Sequence, residues 1–173
     1  MNMNDMSEQR QIIEVGKDWN NIYHIKKNPS EQVQLIDIKE NLFAFEYIDK
    51  PTKRVQITAI KKDGLLIKFI ENPSEEIQLL AIKQNILSIR YIKNPTTKVQ
   101  LEVVKFYSPA IQYIKNPCEE AQLAAIRENA LAITYIRNPS KIAQFEAIYQ
   151  DASLSKYINH LDEEVKIYLK LLA

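Results

Sequence analysis

The sequence predicts an all-α fold: a right-handed solenoid, or superhelix, of short two-helix repeats with a 22-residue period. Three observations predict it. Pro29, Pro51, Pro73, Pro95, Pro117 and Pro139 recur every 22 residues, and only Pro109 lies outside the series. A glutamine follows each of these six prolines by five residues, from Gln34 to Gln144. An aromatic follows each by eighteen, from Tyr47 through Phe69 and Tyr91 to Tyr157. Self-similarity at a fixed short period is the signature of stacked units that cannot bury an apolar face alone.

The elements follow in chain order. Residues 1–28 form an N-terminal cap repeat, because Ser7-Glu8-Gln9 with Gln11, Ile12 and Val15 copies Ser30-Glu31-Gln32 with Gln34, Leu35 and Ile38. Within it, Trp19 is expected to close the end of the stack, and His24 takes the aromatic position. Residues 29–160 make six repeats, typified by Asn72-Pro73-Ser74-Glu75-Glu76-Ile77-Gln78-Leu79-Leu80-Ala81-Ile82-Lys83. Asparagine is a favoured N-cap and proline a favoured first helical residue, which places the cap at Asn72 and makes Glu75 a capping-box partner. The apolar residues 77 and 79–82 fit one broad helical face. Asn85 then interrupts the chain, as do Asn41, Asp63, Asn129 and Asp151 in other repeats. Ile86–Ile92 reads as a second helix, ended by the next Asn-Pro. The expected unit is a helix of about 11 residues, a turn and a helix of about 7. Residues 161–173 form a C-terminal half-repeat, and 1–173 is a single domain. A leucine-rich horseshoe is rejected, because Ile126-Arg127-Glu128 puts charge where its strand needs alternating leucines.

Composition narrows the function. The 173 residues are 46% hydrophobic, enough to bury a core. Lys and Arg number 23 against 22 acids, a net charge of +1, where a generic polyanion binder would be more basic. One cysteine excludes a disulfide framework, two histidines leave little for a metal cluster, and two glycines exclude Gly-rich phosphate loops. No apolar run approaches a membrane span, so the expectation is a cytoplasmic chain with no membrane contact, cofactor or metal.

The unit N-P-S-E-E-x-Q-L-x-A-I-x-x-N-x-L-x-I-x-Y-I resembles a family of short helical repeats from bacteria and their large viruses, catalogued as a domain of unknown function. It is more distantly similar to HEAT-type and leucine-rich-variant helical repeats. The resemblance covers nearly the whole chain and implies an α-solenoid. It brings no catalytic residue.

Recurrent columns supply the candidate sites. The glutamines are expected to bond neighbouring loops in a ladder that sets stacking register and ends before Lys166. The aromatic column is expected to be interlayer core. First helices begin alternately acidic and basic, which predicts pairs such as Arg54 with Glu75 and Lys98 with Glu119. Lys39, Lys61, Lys83, Lys105 and Arg127 form a uniformly basic column in the last turn of each first helix. This column either complements the helix dipole or makes a binding ridge. The fourth repeat departs from the pattern with Phe106 and Tyr107 beside Lys105, and Ser108-Pro109 is expected to restart the second helix late. These aromatics are the local candidate for a binding hot spot. Val165, Tyr168, Leu169 and Leu172 of the half-repeat lack a covering layer and are candidates for self-association. Cys118 and His160 read as substitutions within the repeat. Nothing assembles a nucleophile, base and oxyanion site, so the expected function is non-enzymatic. The leading expectation is a scaffold binding another protein along an extended face, as a phage-encoded inhibitor or adaptor. The alternatives are nucleic-acid binding through the basic ridge and self-assembly through the C-terminal cap.

Overall fold

The computed structural model describes residues 6–18, 20–21 and 29–172; Trp19 and His24 lie outside the described residues. The described chain is all-α. Eight helices, α1 (Glu8–Lys17), α2 (Glu31–Glu40), α3 (Lys53–Lys62), α4 (Glu75–Gln84), α5 (Thr97–Phe106), α6 (Glu119–Glu128), α7 (Lys141–Gln150) and α8 (Glu163–Leu172), each run ten residues. A six-residue 3₁₀ helix follows each of α2 to α7: Leu42–Tyr47, Gly64–Phe69, Ile86–Tyr91, Ser108–Tyr113, Ala130–Tyr135 and Ala152–Tyr157. The chain divides into two compact units, Met1–Ser88 and Ile89–Ala173. In the first, α1 packs on α2, α2 on α3 and α3 on α4; in the second, α5 packs on α6, α6 on α7 and α7 on α8.

Each of α2 to α7 begins two residues later than its proline signal predicts. The N-cap is the residue after proline (Ser30, Thr52, Ser74, Thr96, Cys118 or Ser140), in extended conformation. The hydroxyls of Ser30, Thr52, Thr96 and Ser140 accept a hydrogen bond from the backbone N–H three residues on, as with Val33 on Ser30 (3.4 Å) and Ala143 on Ser140 (3.2 Å), whereas Ser74 and Cys118 make no side-chain cap bond. Glu75 is therefore the first helical residue, favoured by the positive end of the dipole, and not a capping-box partner. Proline stays outside because its carbonyl has another role: it accepts the Nε2 hydrogen bond of the column glutamine.

That glutamine ties consecutive layers together. Gln34, Gln56, Gln78, Gln100, Gln122 and Gln144 donate to the carbonyls of Pro29, Pro51, Pro73, Pro95, Pro117 and Pro139 at 2.8–3.2 Å. The Oε1 atoms of Gln34, Gln100 and Gln122 accept from the cap N–H of the next layer, at Thr52 (3.3 Å), Cys118 (2.9 Å) and Ser140 (2.8 Å). Gln144 ends the series by bonding the His160 carbonyl (3.2 Å) and the Asp162 N–H (2.9 Å). Lys166, next in the column, turns to Glu163 at 2.6 Å. The worn first copy keeps the local bond, Gln11 Nε2 to the Met6 carbonyl at 3.4 Å.

The second helix is 3₁₀, not α. The single Asn or Asp between the two helices is C-cap of one and N-cap of the other. Its Oδ1 accepts from the N–H two residues on, at 2.9–3.0 Å in Asn41, Asp63, Asn85, Asn129 and Asp151. With three residues per turn, positions i and i+3 eclipse. Ile67 and Ile70, Ile89 and Ile92, Ile111 and Ile114, and Ile133 and Ile136 thereby fall on one side. Seven of these eight are buried, Ile70 half so. The fourth repeat keeps this frame: its 3₁₀ helix starts at Ser108, with no delay. Tyr107 replaces the Asn cap, and Pro109 stands where the capped N–H would be, so the lost acceptor and the lost donor compensate each other.

The core is a set of columns. Val33, Val55, Ile77, Val99, Ala121, Ala143 and Val165 are each fully buried, as are Ala59, Ala81, Val103, Ala125 and Ala147 on the next turn. Gly64 is required by packing, since a Cβ there would lie 2.6 Å from the Ala81 carbonyl oxygen. Its N–H also donates to Gln84 Oε1 at 2.7 Å. Gly64→Ala is expected to destabilise the chain by about 1–3 kcal/mol, read as a lower urea midpoint at unchanged slope.

Candidate functional site

Each repeat exposes two turns: the Asn/Asp turn between its two helices, and the proline turn leading to the next repeat. The predicted site residues lie at the first. Lys39, Lys61, Lys83, Lys105 and Arg127 are all exposed at helix C-termini, where cations suit the dipole. Acids break up this column. Glu40 and Glu128 are the adjacent residues, and Arg127 is drawn to Glu146 at 3.4 Å. Phe106 and Tyr107 project from the same turn as Lys105, 83% and 48% exposed.

The half-repeat differs from expectation. Val165 is fully buried, because α8 meets α7 with the same column that joins every earlier pair. Tyr168 packs edge-on against Phe145, with ring centroids 5.7 Å apart, and Leu169 is half-buried. Of the four proposed residues only Leu172 is exposed, with Ile167 and Leu171.

Charge pairs between successive first helices are present, and Arg54 takes Glu31 in place of the expected Glu75. Arg54 reaches back to Glu31 (3.5 Å), Lys53 meets Glu76 (2.6 Å), and Lys141 meets Glu164 (3.0 Å). The hydrogen bond to Glu164 raises the Lys141 pKa. These pairs are exposed and add little stability.

The proline turns carry the site that the sequence reading missed. The aromatic column is not interlayer core. Tyr47, Tyr91, Tyr135 and Tyr157 are 44–54% exposed, while Phe69 and Tyr113 are half-buried. Each ends a 3₁₀ helix whose inward face is taken by buried apolar residues (isoleucine pairs in the middle repeats, Phe45 and Ile48 beside Tyr47, Leu154 and Ile158 beside Tyr157), which turns the aromatic outward. In the second unit the buried Ile92, Ile114 and Ile136 anchor the turns Lys93-Asn94-Pro95, Lys115-Asn116-Pro117 and Arg137-Asn138-Pro139. The Lys, Arg and Asn side chains of these turns are exposed.

Successive turns enclose two grooves. One, of about 600 Å³, is lined by Arg90, Lys93, Asn94, Tyr113, Lys115 and Asn116 among others. The next, of about 320 Å³, shares Lys115 and Asn116 and adds Gln112, Tyr135, Arg137 and Asn138. No carboxylate lines either groove. Arg90 lies 5.1 Å from the Tyr113 ring centroid, so the ring holds a cation at the groove wall. The corresponding residues of the first unit are mixed in charge, Lys27, Asp49 and Glu71. Two places before each ruler proline the sequence runs Lys27, Asp49, Glu71, Lys93, Lys115, Arg137, so the three successive cations of the second unit are visible in it.

No group of three or more His, Cys, Asp or Glu able to hold a metal occurs among the described residues. No described helix is long and apolar enough to cross a membrane. Cys118 uses its backbone N–H in the glutamine series, and its thiol makes no cap bond. Comparison with protein-family models, with curated proteins and with solved structures gives no match.

Proposed function

We propose that this chain is a non-enzymatic helical-repeat scaffold that binds another protein along the proline-turn edge of its second unit. One observation carries the reading: two adjoining grooves whose charged lining is wholly cationic, walled by tyrosines and rimmed by exposed asparagines. Repeats that present one similar turn per layer suit an extended partner. In this reading the chain acts as a cytoplasmic adaptor, or as a phage-encoded inhibitor that sequesters a host protein. The Phe106–Tyr107 edge is a second, smaller contact in this reading.

Affinity capture from bacterial or phage-infected lysate tests it with two variants. The expected result is a stoichiometric protein partner lost with Lys115→Glu/Arg137→Glu and weakened, not lost, with Phe106→Ala/Tyr107→Ala. A partner indifferent to the first variant would remove the assignment to this edge. The nucleic-acid alternative, through Lys61, Lys83 and Lys105, predicts binding to generic RNA or DNA that falls steeply with salt and disappears when those three become glutamate.

A further inference from the structure

We infer that the grooves between Arg90 and Asn138 seat an acidic peptide in an extended, polyproline-like conformation, one carboxylate side chain per repeat. This deepens the scaffold reading and rests on it. The first support is charge. Arg90, Lys93 and Lys115 line one groove, and Lys115 and Arg137 the other, with no acid in either. Lys115 belongs to both, so the cations form one continuous row.

The second support is the asparagine row. Asn94, Asn116 and Asn138 stand exposed on the groove rims, one per repeat. A carboxamide has a donor and an acceptor side by side, the complement of a peptide's own C=O and N–H. Neither a phosphate nor a lone carboxylate uses both.

The third support is the period. Packed helices lie about 8–10 Å apart, and polyproline II repeats every three residues, about 9.3 Å. An acidic residue at every third position therefore meets one cation per layer, while the residues between lie against Tyr113 and Tyr135. A single nucleic-acid strand fits less well. It carries a charge on every nucleotide, and Glu119 and Glu120 stand exposed just beyond the Asn116-Pro117 turn. A peptide with sparse carboxylates avoids that repulsion.

Fluorescence anisotropy on the full chain tests this. The probe is a labelled peptide of about fifteen residues repeating Glu-Pro-Pro, set against a Lys-Pro-Pro repeat and a thymidine oligonucleotide of similar length. The expected result is saturable binding of the acidic peptide alone. Lys115→Glu should weaken it at least about tenfold and Asn116→Ala by about threefold or more, with circular dichroism and melting unchanged. Arg137→Glu should behave like Lys115→Glu. Absent binding, equal binding of the Lys-Pro-Pro repeat, tighter binding of the oligonucleotide, or indifference to both charge reversals would each overturn the inference. If the peptide fails while a captured protein still depends on Lys115 and Arg137, the scaffold reading stands and this one falls.

Discussion

Replacing Asp37 with alanine is expected to stabilise the chain by up to about 4 kcal/mol more at pH 8 than near pH 4. Asp37 is fully buried in α2, and neither carboxylate oxygen has a hydrogen-bond partner among the described residues. Burial pushes its pKa from 3.8 up to about 7. Below pH 4 the folded and unfolded chains both hold the proton, so ionisation costs nothing. Between pH 4 and 7 the unfolded chain has lost the proton while the folded chain keeps it, so stability falls as pH rises. Above 7 the folded carboxylate is ionised and the cost is complete, of the order of 4 kcal/mol at most. Alanine suits the position, since Ala59, Ala81, Ala125 and Ala147 occupy it in other repeats. Asp37→Asn separates the terms: it removes the pH dependence but leaves an unpartnered amide, so it should gain less. Urea melts of the three chains at pH 4 and 8 measure this. An Asp37→Ala chain less stable than the parent at pH 8 would mean that a bonded carboxylate, not an orphan, had been removed.

The repeat, its two helices and the glutamine ladder were legible because each rests on local spacing that recurs six times. The cap was misplaced because Asn and Ser are both good N-caps. What decides between them is tertiary: the proline carbonyl is held by the glutamine five residues on, and that turn leaves Ser30, Thr52, Thr96 and Ser140 capping the helix start. The aromatic column was misread because hydrophobicity alone puts tyrosine and isoleucine on one face. The 3₁₀ winding separates them, as in Ile111 and Ile114 buried against Tyr113. The cationic grooves were the least legible. Lys93, Lys115 and Arg137 each look like ordinary solvated residues before an Asn-Pro, and only the stacking of adjacent turns makes them one row. Asp37 stands out only against the alanines 22 residues apart.

Substituting Gln122 with leucine is expected to destabilise the chain by about 2–5 kcal/mol, although shape and apolarity would suit the core. Gln122 is buried, donates to the Pro117 carbonyl at 3.0 Å and accepts from the Ser140 N–H at 2.8 Å. Leucine leaves both main-chain groups unpaired, at about 1–3 kcal/mol each. The loss falls on the join between α6 and α7, so hydrogen exchange should quicken first at the Ser140 amide. Gln122→Glu gives the sharper test. Its carboxylate still accepts from Ser140, but it faces the Pro117 carbonyl with an oxygen where a donor is needed. Protonation restores the donor, so the folded state raises that carboxyl's pKa and the variant regains stability as pH falls, whereas Gln122→Leu does not. Equal deficits for the two variants at acidic and neutral pH would show that the glutamine acts by volume alone. The bond to the proline carbonyl, which holds the turn bearing Lys115 and Asn116 in place, would then carry no energy.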